Sequence, residues 1–216
     1  MTMTETTHAQ TTSGSADIID SLCQITPGSD LDTIRRSRAQ ARENAQRSFE
    51  VLLDPQDPGT FPLSERYAVA AYTVALQASQ SAALDFYLEL TEEETDSHFA
   101  RSIEQLARAA RSVGPYGEYR EPRHTRESEP GTTVHYDAKE VPGSSPRLAA
   151  ALEHAHLLSL HPRDARPEHL KRLENAGWSA DEIVTLSQLI AFLAFQIRVV
   201  DGLLALADNP SPEETR

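Results

Sequence analysis

The sequence predicts an all-α protein, and three stretches carry the prediction. From Ala176 to Leu206, Ser179 and Glu182 form an S-x-x-E capping box, each side chain able to satisfy a backbone N–H that a first helical turn leaves unpaired. Behind it, Ile183, Leu186, Leu189, Ile190, Leu193, Ile197, Val200, Leu203 and Leu204 recur at three- and four-residue steps, the spacing of one helical stripe. Ala191, Phe192, Ala194 and Phe195 widen that stripe, so the helix is expected to be central, with neighbours on several sides. The second stretch runs on from Ser64 with small residues at Ala68, Ala70, Ala71, Ala75 and Ala78, which permit close helix approach. The third, about Ser97 to Val113, places Phe99, Ile103, Leu106 and Ala110 at helical spacing before Gly114-Pro115 stops it.

The remaining elements follow in order. Met1 to Ala16 is rich in Thr, Ser, Gly and Gln with few apolar anchors, and is expected to be a disordered tail. Asp17 to Leu22 begins the folded part as a short helix, ended by Thr26-Pro27-Gly28. Ser29 or Asp30 caps a helix expected to continue to Leu53, and Asp54-Pro55 stops it. Its Arg35, Arg36, Arg38, Arg42 and Arg47 share the helix with acidic residues and are read as a solvated face or a subunit contact. Pro55 to Pro62 is a loop, and Ser64 is expected to cap the small-residue helix. A helix through Ala83, Leu84, Phe86, Tyr87 and Leu88 comes next. Residues 114–146 lack a pattern and hold five prolines, and the segment is read as a long surface excursion. Arg147 to Leu160 is a helix, Pro167 suits a first helical turn, and Gly177 closes the helix before the capping box. The whole is expected to be one domain over residues 17–208, with 209–216 a tail.

Composition bounds the function. Of 216 residues, 39% are hydrophobic, enough for one sizeable core, while aromatics at 6% leave aliphatic and alanine packing to fill it. A net charge of −13 argues against general affinity for nucleic acid or an anionic membrane, since both reward clustered positive charge. Asp181, Glu182, Gln188, Gln196, Arg198 and Asp201 interrupt the apolar C-terminal helix, so a core role is expected of it rather than a membrane span. No secretory signal is read at the start, and a cytoplasmic location is the default expectation. One cysteine, Cys23, makes no intrachain disulfide. Lying between Leu22 and Ile25, it reads as a small buried hydrophobe.

The Ala-Gly turn, small cap, paired acidic residues, apolar helix, Arg198 and Asp201-Gly202-Leu203 together resemble the C-terminal helix pair of alkylhydroperoxidase D-like proteins of the carboxymuconolactone decarboxylase superfamily. Leu63 to Tyr87 is similar to the helix bearing that family's active site. The resemblance spans much of about Asp17 to Leu206 and implies an alkylhydroperoxidase D-like helical bundle that forms a homo-oligomer. The family's peroxidases use a C-x-x-C pair, with a glutamate upstream and a histidine downstream relaying protons. Here the matching stretch reads Gln77-Ala78-Ser79-Gln80-Ser81-Ala82. Because Cys23 is the chain's one thiol, the two-thiol peroxidase cycle is excluded.

By that resemblance Glu65, Ser79 and Tyr87 are the candidate site residues. Glu65 falls near the family's glutamate, Ser79 in the stretch that replaces the redox pair, and Tyr87 near its histidine. Glu65 also suits a helix N-terminus electrostatically, with no catalytic role required. Three readings of function stand side by side. The first is a small-molecule-binding protein or non-redox enzyme, needing no cofactor. The second is a non-catalytic partner subunit of a thiol-bearing peroxidase homologue, in which Gln77, Gln80 and packed alanines would fill the old pocket. The third is a metal-dependent enzyme using the His154/His156 region, where Glu153 and His156 form one Glu-x-x-His. No second copy of that motif occurs, so no metal site is assigned, and the histidines are expected on the surface of their helix, with His154 and His161, seven apart on one face, placed to line a cleft. Arg120, Arg123 and Arg126 with Tyr116, Tyr119 and Tyr136 form an anion or partner patch nearly neutralised by four glutamates.

Overall fold

The structure, a computed structural model, describes residues 17–77 and 81–208. Both tails and Ser79 therefore lie outside the described residues. Within them the fold is all-α: α1 (Ile18–Leu22), α2 (Asp30–Ser37), α3 (Ala39–Leu53), α4 (Leu63–Gln77), α5 (Ala82–Glu94), α6 (Ser97–Ala110), α7 (Pro146–Leu160), α8 (Pro167–Asn175) and α9 (Ala180–Asp208).

Local chemistry sets most of these boundaries. Asp17, Ser29, Ser81, Asp96 and Ser145 each accept a first-turn backbone N–H with the side chain, at α1, α2, α5, α6 and α7 respectively. The capping box of α9 is formed both ways: Ser179 N donates to Glu182 Oε2 at 2.7 Å, and Glu182 N donates to Ser179 Oγ at 3.4 Å. Gly177 has φ +96, the left-handed conformation that ends α8.

Two expected boundaries change. The helix expected from Ser29 to Leu53 breaks at Arg38, whose φ −118 and ψ 50 are non-helical. The break turns α2 so that Arg35 and Arg42 both reach back to Asp17 and Asp20. Those arginines are thus partners within the chain rather than a solvated face. Ser64 does not cap α4. The Pro62 carbonyl accepts from Glu65 N and Arg66 N, both at 3.1 Å, so the helix begins at Leu63 and Ser64 lies inside its first turn.

Packing centres on α4, which touches α5, α6, α7 and α9. Every residue from Arg66 to Leu76 is buried, because alanines alternate with larger apolar residues all round the helix and let its neighbours approach closely. Arg66 is reconciled with burial by donating to the carbonyls of Phe61 at 2.8 Å and Leu52 at 2.7 Å. α9 packs against α4, α7, α3, α1, α2 and α8. It is long and apolar enough to cross a membrane by length and composition alone, and 44% of its most apolar stretch is buried in this fold. Buried apolar side chains from Ile18 to Leu203 form one continuous core.

The segment between α6 and α7 is more than a surface excursion. It carries short 3-10 turns at Pro122–Glu127, Ala138–Glu140 and Pro142–Ser144, and Tyr116 and Val141 enter the core. Tyr116 N donates to Leu160 O at 2.9 Å, and Gly117 pairs with Glu129, which ties the segment to the end of α7. Gly117 (φ +117) permits this path: a Cβ there would stand 2.8 Å from Asp164 Oδ2.

Candidate functional site

α7 is apolar nearly all the way round, with Leu148, Ala149, Ala150, Ala151, Leu152, Ala155, Leu157 and Leu160 buried. A helix so enclosed has no solvent face on which to place its polar residues. Glu153, His154 and His156 are accordingly buried, as is His161 just beyond its end. The expected surface position of these histidines is corrected by that enclosure.

His135, His154, His156, His161 and His169 line one narrow cavity, together with Thr133, Val134, Glu153 and Arg172. Its free volume is about 30 Å³, room for about two water molecules. A wider cleft of about 450 Å³ adjoins it, lined by Tyr136, Ala138, Pro146, Lys171 and Asn175 among others. Ala150 and Arg172 belong to both walls. Arg172 donates from Nε and Nη2 to the two oxygens of Glu153, and Tyr136 N donates to Glu153 Oε1 at 2.7 Å. The half-exposed arginine and buried carboxylate thus stand between cleft and cavity.

The tautomer of His154 follows from its partner. Ser187 Oγ has one proton, which it donates to Ile183 O at 2.8 Å. His154 Nε2, 3.0 Å from the same oxygen, must therefore be the donor in that pair. Nδ1 is left as a bare acceptor, buried and without a partner among the described residues. Burial, with His169 adding to it, pushes the His154 pKa down to about 4, so the ring is neutral at pH 7.

A second chain of contacts runs behind the cavity. His156 Nε2 lies 3.3 Å from Ala110 O, His156 Nδ1 lies 3.1 Å from His161 Nε2, and His161 Nδ1 lies 3.3 Å from Asp164 Oδ2. Tyr116 stacks on the His161 ring at 5.1 Å and 11°. Burial lowers the pKa of both imidazoles, that of His156 to about 4 with His161 contributing, while Asp164 partly offsets the effect at His161. Glu153 does not join His156: it faces Arg172, Tyr136 and, at 3.7 Å, His135. Among the described residues no group of three or more His, Cys, Asp or Glu is arranged to hold a metal ion.

Comparison with protein-family models, curated proteins and solved structures found no match to the chain.

The sequence-derived candidates take separate places. Glu65 accepts from Arg147 Nε at 3.0 Å. The same guanidinium donates to Glu182 Oε1 at 2.6 Å and to the carbonyls of Gly177 and Thr60, and it lies 3.9 Å over the Trp178 ring. Glu65 thus serves a junction that ties the starts of α4, α7 and α9. Tyr87 is wholly buried and donates to Gln196 Oε1 at 2.7 Å, joining α5 to α9. Ala68, Ala70, Ala71 and Ala75 of α4 are likewise buried. Glu65 in the first turn and Gln77 at the last residue of α4 are separated by roughly 18 Å of helix. Ser79 is outside the described residues. Cys23 is buried, and burial raises its pKa to about 11, in keeping with a structural thiol.

Proposed function

We propose that the protein binds a small polar molecule at the histidine-lined cavity, reached through the cleft beside α8, without redox chemistry. The observation that carries this reading is the buried, unpartnered Nδ1 of His154, a residue that lines the cavity beside a ligand-sized cleft. A buried neutral imidazole nitrogen with no donor opposite it gains a hydrogen bond when a ligand O–H or N–H reaches it. Alanines and Pro146 in the cleft suit a short apolar body, and Lys171 and Glu168 beside them offer charges of both signs to a polar group.

Kinship with the alkylhydroperoxidase D-like proteins belongs to the same proposal. It rests on the two sequence segments and on the all-α architecture. The packed surroundings of Tyr87 favour a second reading for that part of the fold, a non-catalytic partner subunit whose ancestral pocket is filled. Self-association is proposed through the groove of about 630 Å³ between α3 and α9, where Val51 and Phe195 are exposed.

The test of the ligand site is a thermal-shift and NMR screen of small hydroxylated and amide-bearing fragments against the full chain. Fragments that bind the native protein should lose on the order of 1–3 kcal/mol of affinity in His154→Phe, which removes the acceptor. Equal binding to both proteins would defeat the proposal.

A further inference from the structure

The contacts from Ala110 to Asp164 can be counted in protons. The chain has two ends that only accept, the Ala110 carbonyl and the Asp164 carboxylate, with two imidazoles between them. Its three contacts, at 3.3, 3.1 and 3.3 Å, need three protons to become three hydrogen bonds. Two neutral imidazoles carry two. If His156 Nε2–H serves Ala110 and His161 Nε2–H serves His156, a lone pair on His161 Nδ1 faces the carboxylate. If His161 Nδ1–H serves Asp164 and His156 Nδ1–H serves His161, a lone pair on His156 Nε2 faces the carbonyl. With each imidazole donating outward, both central nitrogens are bare. Every neutral arrangement leaves one contact repulsive.

We propose that this chain is a one-proton site: a single added proton, shared between His156 and His161 and balanced by Asp164, completes all three hydrogen bonds on the wall of the candidate ligand cavity. The inference goes beyond the ligand reading and does not need a ligand. No bond other than N–H forms or breaks, and the proton comes from solvent by way of Asp164, whose side chain is 30% exposed.

The groups facing the pair come from each neighbouring element. They are the Ala110 carbonyl at the end of α6, the Tyr116 ring stacked on His161, Asp164 beyond α7, and His169 on α8, whose charge opposes protonation of His161. Asp164 also accepts Glu118 N through Oδ1 at 2.9 Å, so the carboxylate that balances the proton is the one that holds the segment 114–145 in place. Burial sets the operating range below the ordinary histidine value, because the added charge is desolvated. The site is therefore empty at neutral pH and fills on acidification.

The experiment is long-range 1H–15N NMR of the histidine rings of the full chain from neutral to acidic pH. His156→Gln and His161→Gln assign the signals, and Asp164→Asn serves as the functional variant. The expected result is that both rings move with one common midpoint and together take up one proton. In Asp164→Asn that midpoint should fall by about one pH unit, since the balancing charge is gone. Separate midpoints, two protons taken up, or a midpoint unmoved in Asp164→Asn would overturn the proposal. The native protein and Asp164→Asn suffice for this comparison if the histidine variants do not fold.

Discussion

The guanidinium of Arg147 donates to Glu182 Oε1 at 2.6 Å, and Glu182 is at the same time the reciprocal half of the capping box that starts α9. One carboxylate therefore completes a helix terminus and anchors the start of α7. Burial opposes its charge, but the hydrogen bonds from Arg147 and Ser179 outweigh that and bring its pKa down to about 2.

Removing the guanidinium should be costly. Arg147→Met leaves Glu65 and Glu182 without their shared partner in a largely buried junction, and the expected loss is about 2–4 kcal/mol in urea unfolding. Arg147→Lys should recover less than half of it, because an ammonium cannot serve two carboxylates and stack on Trp178 together. Native stability in Arg147→Met would remove the junction from the account.

Acid should destabilise the fold in two stages. His154 has its folded pKa lowered to about 4 from 6.5, so the unfolded chain binds the proton first. Its contribution is fully present above pH 6.5 and is lost as pH falls through that window, roughly 3 kcal/mol at about 1.4 per unit. Glu182, lowered from 4.5 to about 2, contributes above pH 4.5 and loses that contribution on further acidification. His154→Leu should make the upper stage shallower, His156 with its pKa likewise lowered to about 4 keeping its share, and should leave the lower stage, as read from unfolding midpoints across pH. A native-like slope between pH 6.5 and 4 in that variant would assign the upper stage to other groups.

Tyr87 is expected to matter for stability. In Tyr87→Phe the Gln196 amide, whose Nε2 already lacks a partner among the described residues, loses its remaining bond at Oε1. The cost should be on the order of 1–3 kcal/mol. Tyr87→Phe combined with Gln196→Leu should regain most of it, since no buried polar group is then left unpaired. A double variant less stable than the single one would contradict this.

Much of the fold was legible in the sequence because its signals are local. The Ser179/Glu182 box, Gly177, Pro167 and the apolar stripe of α9 act through neighbours within a turn or two. The break at Arg38 was hidden, since no glycine or proline marks it and long-range pairs with Asp17 and Asp20 hold it. The segment 114–145 gave no period because its anchors, Tyr116, Tyr136 and Val141, come from irregular backbone. The spacing of His154 and His161 pointed to a shared cleft, and both line the cavity, but its burial was missed by reading His154 and His156 as surface types. The signal that could have found it was the all-round apolar character of α7, which left those side chains nowhere to go but inward.

Thiol chemistry should be absent. The buried Cys23 thiol, with its pKa raised to about 11, should resist a thiol-reactive dye in the native protein and react on unfolding. No thiol-dependent reduction of alkyl hydroperoxides is expected, and turnover abolished by Cys23→Ser would refute that.

Self-association is expected through the α3–α9 groove. Light scattering should give a dimer or larger species at micromolar concentration, and Phe195→Glu should shift it towards monomer. A strictly monomeric native chain would sink this part of the proposal.

The central claim, that a ligand completes His154, is tested most directly by the 15N signal of its Nδ1. In the free protein that nitrogen should resonate as an unprotonated acceptor. On saturation with a binding hydroxylated or amide-bearing fragment, its signal should move as a donor reaches it, with the Lys171 and Arg172 signals moving in step. A fragment that binds while His154 stays unchanged, and that instead perturbs Glu65 or Tyr87, would move the site away from His154 and contradict the account.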